Sequence, residues 1–388
     1  MNILFLSLYF EPDLCAGSFR NTTLFRLMIQ MMGSNDHIDV ITSLPNRYAS
    51  FSIDAKEVEK GDTYTIHRIR MPKHDGAMID QVKSYSVYFR NAILLTKQYK
   101  YDLVYASSSR LFTAVLGSYL ARKNNCPLYL DIRDIFSDSF RDYFKGKPYI
   151  RWFGLYPILQ FEKYAFNRAQ HINIVSEGFA NYFKRYPQAV YSFFTNGIDD
   201  VFIENAHSTI YDVHLPLIVT YAGNIGQGQE LDKMIPQLAR ELGEDYLFRI
   251  IGDGGTKNLL EEELQKLSVT NVQLIKPVSR TELLRYYDET DFFFTKLNPV
   301  EKVALPSKIF EYGAYDKPII CALSGFANEF VRKNVSNIIL SEADDVNTLA
   351  KEIRSYKYRN EDRKGFKQRF ARTSIMKEMA MNVLSLLS

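Results

Sequence analysis

The stretch Val219–Leu231, VTYAGNIGQGQEL, runs from a strand-like segment through a loop into helix-forming residues. Val219, Thr220 and Tyr221 suit a pleated strand, and Gly223, Gly226 and Gly228 follow at once. Glycines let the backbone approach a phosphate closely, and the amides of a following helix start favour negative charge. A βα turn also uses glycines for geometry alone, so the loop by itself leaves both uses open. The first strand of the chain, NILFLSL, is followed by YFEPDLCAGS, without the GxGxxG fingerprint of NAD-binding turns. A dehydrogenase is disfavoured.

Outward from this stretch, short apolar runs alternate with helical patterns along most of the chain, the mark of parallel βαβ units. Strands are expected at 2–8, 38–42, 64–70, 102–106, 127–132 and 171–176, with helices such as 21–32 and 111–123 between them. The turn Thr195-Asn-Gly-Ile-Asp199 and a polar connection at 205–211 close this half. Strands then resume at 216–222, 247–252, 272–276, 291–295, 318–322 and 337–340. Two doubly wound α/β domains are expected, 1–204 and 205–370, with residues 371–388 forming a helix that packs back on the first. Such domains face each other across a cleft, and their ligands bind outside the carboxyl ends of the strands.

Composition agrees with a globular protein of two domains: 388 residues, net charge +3, 46% apolar and 14% aromatic. Nearly balanced charge builds no case for nucleic acid. Cys15, Cys126 and Cys321 lie far apart, which indicates neither a zinc site nor a disulfide framework and fits a reducing cytoplasm. The start MNILFLSLYFEPD lacks a signal peptide's basic region and cleavage site, and Glu11 interrupts its apolar run too early for a membrane span. Between Tyr143 and Arg168, Lys145, Lys147, Arg151, Lys163 and Arg168 mix with Tyr149, Trp152, Phe153, Leu155, Tyr156 and Phe161. That mixture suits either a lipid headgroup boundary or a core helix with solvated charges.

A second stretch, Ala304–Pro318, reads ALPSKIFEYGAYDKP. Pro306 suits a first helical turn, where its missing N–H costs nothing. Ser307 and Glu311 are four apart and share a face, Lys308 lies beside it, and the helix start offers amides to an anion. A glutamate there accepts two hydrogen bonds from a vicinal diol such as a ribose. The alternative is a solvated helix face whose Ile309, Phe310 and Tyr312 pack inward. Between the two stretches, Gly252, Gly254 and Gly255 in IIGDGG either wall a base or sugar pocket or form a turn.

The succession TYAGNIGQGQELD, RIIGDG, VSRTELLRYYDETDFFF and LPSKIFEYGAYDKPII, over roughly residues 217–325, resembles the C-terminal domain of GT-B glycosyltransferases of family 4. The likeness is strongest to the branch serving bacterial O-antigen, lipopolysaccharide and capsule synthesis. LSLYFEPDLCAGSFRN, DIRD and TNGID extend the resemblance more loosely into the first half. It implies a nucleotide-sugar donor, with Glu311 on the ribose, Gly223, Asn224 and Gly226 near the diphosphate, and Lys308 with the amides near Ser307 neutralising charge. Gly17 would approach the donor phosphate and acceptor, Arg20 follows at a helix start, and Asp134 would lie near the transferred sugar or cap a helix. Arg133 would pair with phosphate, Asp131 or Asp138; Ser176 and Glu177 are further candidates, and Asn196 and Asp199 shape the turn. Two departures stand out. Family 4 usually has a glutamate eight positions before Glu311, where this chain has Val303, with Glu301 two residues off register, and the lysine common after the glycine loop is replaced by Gln227 and Gln229 nearby.

The resemblance further implies retention of anomeric configuration by front-face attack, in which the departing diphosphate helps deprotonate the acceptor hydroxyl. Neither a metal nor another cofactor is expected; Glu11-Pro-Asp13 is a weak exception to the lack of a DxD after a strand. The donor expected is a UDP-linked N-acetyl amino sugar. The acceptor expected is a saccharide linked to undecaprenyl diphosphate, met at the inner face of the membrane. A non-catalytic nucleotide-sugar-binding protein and a GT-B epimerase remain as alternatives.

Overall fold

The computed structural model describes the whole chain apart from residues 14, 46–53, 73–77, 109–110, 145, 147, 207–213, 299–304, 343 and 388. Val303, Glu301, Lys145 and Lys147 lie outside the described residues. Contacts divide the chain into two units, Met1–Asn196 with Thr373–Ser388, and Gly197–Arg372.

In chain order the first unit holds β1 (Asn2–Ser7), α1 (Ala16–Met31), β2 (His37–Ser43), β3 (Val58–Lys60), β4 (Tyr64–Ile69), α2 (Met78–Leu95), β5 (Leu103–Ser108), α3 (Leu111–Asn124), β6 (Leu128–Ile132), α4 (Phe136–Tyr143), α5 (Pro148–Phe166), β7 (His171–Ile174), α6 (Ala180–Phe183) and β8 (Val190–Ser192). The second holds α7 (Asp200–Asn205), β9 (Leu217–Asn224), α8 (Leu231–Leu242), β10 (Tyr246–Asp253), α9 (Lys257–Lys266), β11 (Val272–Ile275), α10 (Arg280–Asp288), β12 (Phe292–Lys296), α11 (Lys308–Tyr312), β13 (Ile319–Ala322), α12 (Gly325–Asn334), β14 (Ile338–Ser341), α13 (Val346–Ser355) and α14 (Lys364–Phe370). A last helix, α15 (Arg372–Leu384), ends the chain.

The first sheet has the order β3-β4-β2-β1-β5-β6-β7-β8 and the second β11-β10-β9-β12-β13-β14. All pairings are parallel except β3–β4. Central strands are covered on both faces, so β5 and β12 are buried at every position and open with apolar runs, LVYA and FFF. β3 escapes the sequence pattern because three residues, Val-Glu-Lys on an antiparallel edge, carry no apolar run. Strand order reverses direction beside β1 and β5 in one sheet and beside β9 and β12 in the other, and crevices open at the carboxyl ends of such neighbours.

Helix α8 illustrates how the second core forms. Leu231, Met234, Ile235, Leu238, Ala239 and Leu242 recur at helical spacing and are all buried, packing with Val219, Phe248 and Phe294 of the sheet. Removing one such side chain, Leu238→Ala, costs about 2–5 kcal/mol by the usual cavity rule.

The division between units falls before Gly197 rather than at 204/205. Asp199 caps α7 through Val201 N and pairs with Arg280 and Arg372, all within the second unit. Ala371 separates α14 from α15, where Ile198 N donates to Phe370 O and Arg372 N to Ile198 O. Beyond that break, Met376, Met379, Ala380 and Val383 join Ile3, Phe5, Tyr105 and Tyr129 in the first unit's core.

Candidate active site

At the carboxyl end of β9 the glycine loop folds back on the turn after β10. A Cβ on Gly252 would stand 1.9 Å from the carbonyl oxygen of Gly223, and one on Gly254 would stand 2.4 Å from that of Ile225. Both residues have positive φ, +147° and +157°. Ile225 N donates to Asp253 O at 2.9 Å, and Thr256 returns two hydrogen bonds to Ile225 O. Gly252 is thus required for backbone-on-backbone packing, which builds the floor beneath the first loop. Asn224 Nδ2 donates to Gln229 Oε1 at 3.0 Å, and a Cβ on Gly226 would strike that amide at 2.4 Å.

The ALPSKIFEYG segment meets this loop. Where β12 ceases to pair with β9, the freed amide of Ala222 donates to the Tyr312 hydroxyl at 3.0 Å, tying α11 to the strand end. A Cβ on Gly223 would lie 3.2 Å from Lys308 Cε, so a glycine there gives the lysine room. Lys308 Nζ donates to Glu311 Oε2 at 2.7 Å, and both side chains keep some exposure, 22% and 14%.

Glu311 has a second partner, which the sequence reading missed. Tyr287 of α10 is fully buried and donates its hydroxyl to Glu311 Oε1 at 2.6 Å. Its ring is walled by Phe202, Phe293, Tyr312 and Tyr315, and burial together with Glu311's charge pushes its pKa well above the ordinary tyrosine value. Buried Lys317 donates to the carbonyls of Tyr287 and Asp288 at 2.8 and 2.7 Å, closing the end of α10 with a cation. The signal was present in VSRTELLRYYDETDFFF, where a tyrosine falls on a helix's inward side and its hydroxyl, once buried, requires a partner. Each carboxylate oxygen of Glu311 accepts one internal hydrogen bond and retains capacity for another.

The amides at the start of α11 are less available than expected. Those of Ile309, Phe310 and Glu311 bond the carbonyls of Pro306 and Ser307. Ser307 occupies the cap position without a side-chain cap bond. A further buried cation, Lys296, ends β12 with Nζ 3.4 Å from Asp344 and 3.5 Å from Glu230, between the loops that begin α13 and α8. It belongs to loop packing.

In the first unit, Arg20 departs from its expected part in ligand binding. Its guanidinium is fully buried, with Nε and Nη2 each 2.9 Å from an oxygen of Asp131 and further bonds to the carbonyls of Phe194 and Thr195. Burial alone would raise the Asp131 carboxyl, but Arg20 and then Asn173 hold it below the ordinary value. Arg20 is a structural cation, saturated by its surroundings. Gly17, at the start of α1, instead sits under Arg133: a Cβ there would stand 1.8 Å from Arg133 Nη1. Asp134 is exposed beside it. Of the remaining candidates, Asp138 pairs with Arg141, and Ser176 Oγ accepts from Gly178 N as a turn cap ahead of Glu177. Glu11 pairs with Arg26. Among the described residues no group of three or more His, Cys, Asp or Glu side chains could hold a metal ion.

Residues 215–372 match the model of the family described as glycosyl transferases group 1. No curated protein matches the chain in sequence. Anabaena Alr3699/HepE, solved in complex with UDP and glucose, superposes with a TM-score of 0.64 at 15% identity, covering 99% of each chain. The lipopolysaccharide outer core galactosyltransferase WaaB gives 0.61 at 12% identity, again over 99% of each chain. The alpha,alpha-trehalose 6-phosphate synthase of Burkholderia multivorans gives 0.67 at 10% identity, covering 99% of this chain and 96% of that one. At these identities the likeness is one of fold, and the fold is GT-B. With the family match, it supports a glycosyltransferase.

Proposed function

We propose that the chain is a retaining glycosyltransferase of family 4 that takes a sugar from a nucleotide-sugar donor, a UDP-linked N-acetyl amino sugar, and adds it to a lipid-linked or growing saccharide. The pathway is assembly of a surface polysaccharide of the O-antigen or capsule type. The observation that carries this reading is the Lys308–Glu311 pair beside Gly223: a carboxylate with acceptor capacity for a ribose diol, and an ammonium next to a glycine loop where a diphosphate can approach. UDP accompanies HepE in its structure, which supports a uridine donor.

In this reaction the bond between the anomeric carbon and the diphosphate oxygen breaks, and the acceptor oxygen bonds that carbon on the same face. The acceptor proton passes to the departing diphosphate. Catalysis then rests on stabilising charge on the leaving group and on positioning. Lys308 supplies the cation, Glu311 takes the ribose while Tyr287 holds that carboxylate from the buried side, and in the first unit Gly17, Arg133 and Asp134 are the candidates on the acceptor side.

The acceptor's lipid brings the enzyme to a membrane. On α5, Tyr149, Trp152, Phe153 and Tyr156 share one helical face and are 68–81% exposed. Rows of Tyr and Trp of this kind rest at lipid headgroup depth. Among the described residues no helix is long and apolar enough to cross a bilayer, so the contact proposed is peripheral.

The test pairs a donor screen with a variant. Wild type should release UDP from one UDP-sugar in the presence of lipid-linked saccharide extracts, and Glu311→Ala should weaken UDP binding at least about tenfold, roughly 1.4 kcal/mol. Unchanged UDP affinity in the variant removes Glu311 from the site. Donor binding without turnover across the panel would favour a non-catalytic binding protein.

A further inference from the structure

The first unit carries an apolar groove that the transfer chemistry does not use. Tyr85, Phe89, Ile93 and Leu94 of α2 form one wall, Phe112 and Val115 of α3 the floor, and Phe161 of α5 the opposite side. The α2 residues recur at helical spacing, so they present one stripe. The groove encloses about 510 Å³, within the roughly 300–1,000 Å³ of small-molecule sites. Leu94 on its rim is 56% exposed. A monomeric protein rarely leaves such a surface uncovered without a use.

Two observations identify the occupant. First, Phe161 belongs to the helix that carries the exposed row Tyr149, Trp152, Phe153 and Tyr156, and its ring meets Phe112 at 5.6 Å, so the groove and the row sit on one α5. Second, the charge in its wall is basic. Arg90 is the charged side chain among the described residues that line the groove. The acidic side chain of α5, Glu162, is fully buried and takes hydrogen bonds from Ser137 N and the Tyr182 hydroxyl. An apolar channel with a cation, Arg90, in its wall matches a long hydrocarbon chain that ends in an anionic group.

We propose that this groove binds the hydrocarbon chain of an isoprenoid phosphate or diphosphate lipid, with Arg90 facing the anionic end. The inference rests on the lipid-linked acceptor proposed above. It adds where the chain of that lipid lies and makes chain length, besides the sugar, a determinant of acceptor choice.

Farnesyl phosphate, titrated into the full chain by calorimetry below its aggregation concentration, is the probe, with inorganic phosphate as control. Wild type is expected to bind farnesyl phosphate and not inorganic phosphate. Leu94→Glu, at an exposed rim position that tolerates charge, should weaken it at least tenfold, and Phe112→Ala should weaken it several-fold. Absence of binding, or equal binding by wild type and both variants, overturns the proposal. So does binding of inorganic phosphate with equal affinity, which would assign the recognition to the cation alone. A wild-type dimer that Leu94→Glu converts to monomer also overturns it, because the occupant is then a second copy of the chain. The underlying acceptor reading fails separately. Trp152 is the single tryptophan of the chain, so an emission spectrum unmoved by anionic vesicles counts against membrane contact whatever the groove binds. Far-UV circular dichroism and the melting temperature of the same samples report that the variants are folded.

Discussion

Two ion pairs, Arg20–Asp131 in the first unit and Lys308–Glu311 in the second, each join a cation to a carboxylate and differ in burial and in the bonding capacity left over. Arg20 and Asp131 are both 0% exposed, joined through two parallel hydrogen bonds, and further bonded to carbonyls, Asn173 and the Tyr105 hydroxyl. Lys308 and Glu311 touch at one oxygen and keep 22% and 14% exposure. A saturated buried pair has nothing left to offer a ligand, whereas a partly exposed one retains lone pairs and charge. Exposure together with unfilled bonding capacity separates the two pairs.

The largest effect should come from splitting the buried pair. Arg20→Ala leaves Asp131 buried without its cation, a loss of about 3–5 kcal/mol in urea unfolding, and it also removes a contact to Met379 of α15. Lys308→Ala should do the opposite. It is expected to change stability by less than about 1 kcal/mol and to slow transfer at least about tenfold, because a cation at the leaving diphosphate acts in the transition state. Equal stability losses in the two variants would break the comparison.

How much of this was legible in the sequence follows from the same distinction. Strands, their parallel pairing and the repeated domain plan were legible because strands buried on both faces carry short uninterrupted apolar runs, as in the FFF of β12. The Lys308–Glu311 contact was legible because residues three apart on a helix are neighbours on its surface. The burial of Arg20 is not legible, because an arginine at a helix start gives no sign of whether water reaches it. Gly252 was read as a pocket wall or a turn, and only the fold shows Gly223's carbonyl against it. Tyr287 was passed over because its partner lies 24 residues away and a tyrosine in a helix reads first as core.

Tyr287→Phe sharpens the comparison at the level of a single hydrogen bond. The ring stays in its aromatic enclosure, but Glu311 Oε1 loses its buried donor. Loss of a hydrogen bond to a charged acceptor costs about 1.5–3 kcal/mol in full, and part of this is regained where Glu311 is reached by water. The expected outcome is a several-fold rise in donor KM with a smaller change in kcat and a melting temperature nearly that of wild type. A fall in stability with unchanged KM would make Tyr287 a packing residue only.

The smallest expected effect concerns His171, buried on the strand next to Asp131 but with no cation or anion to offset its burial. It stacks on Tyr129 at 4.6 Å and its Nε2 lies 3.0 Å from Ser192 Oγ. Burial pushes its pKa down to about 4, from 6.5, so the unfolded chain takes up a proton before the folded one. Stability from the neutral imidazole is therefore complete above about pH 6.5 and is lost as the pH falls toward 4, on the order of 1 kcal/mol after allowing for residual solvation. Asp131, held below its ordinary 3.8 by Arg20, gives up its contribution only at lower pH, as the pH falls through its depressed value. Acid destabilisation should thus come in two stages. Urea unfolding at pH 7, 5.5 and 4.5 separates them: His171→Gln should flatten the first stage and leave the second intact. A slope between pH 4.5 and 7 equal to that of wild type would assign the first stage to other groups and leave His171 a packed ring without a titration of consequence.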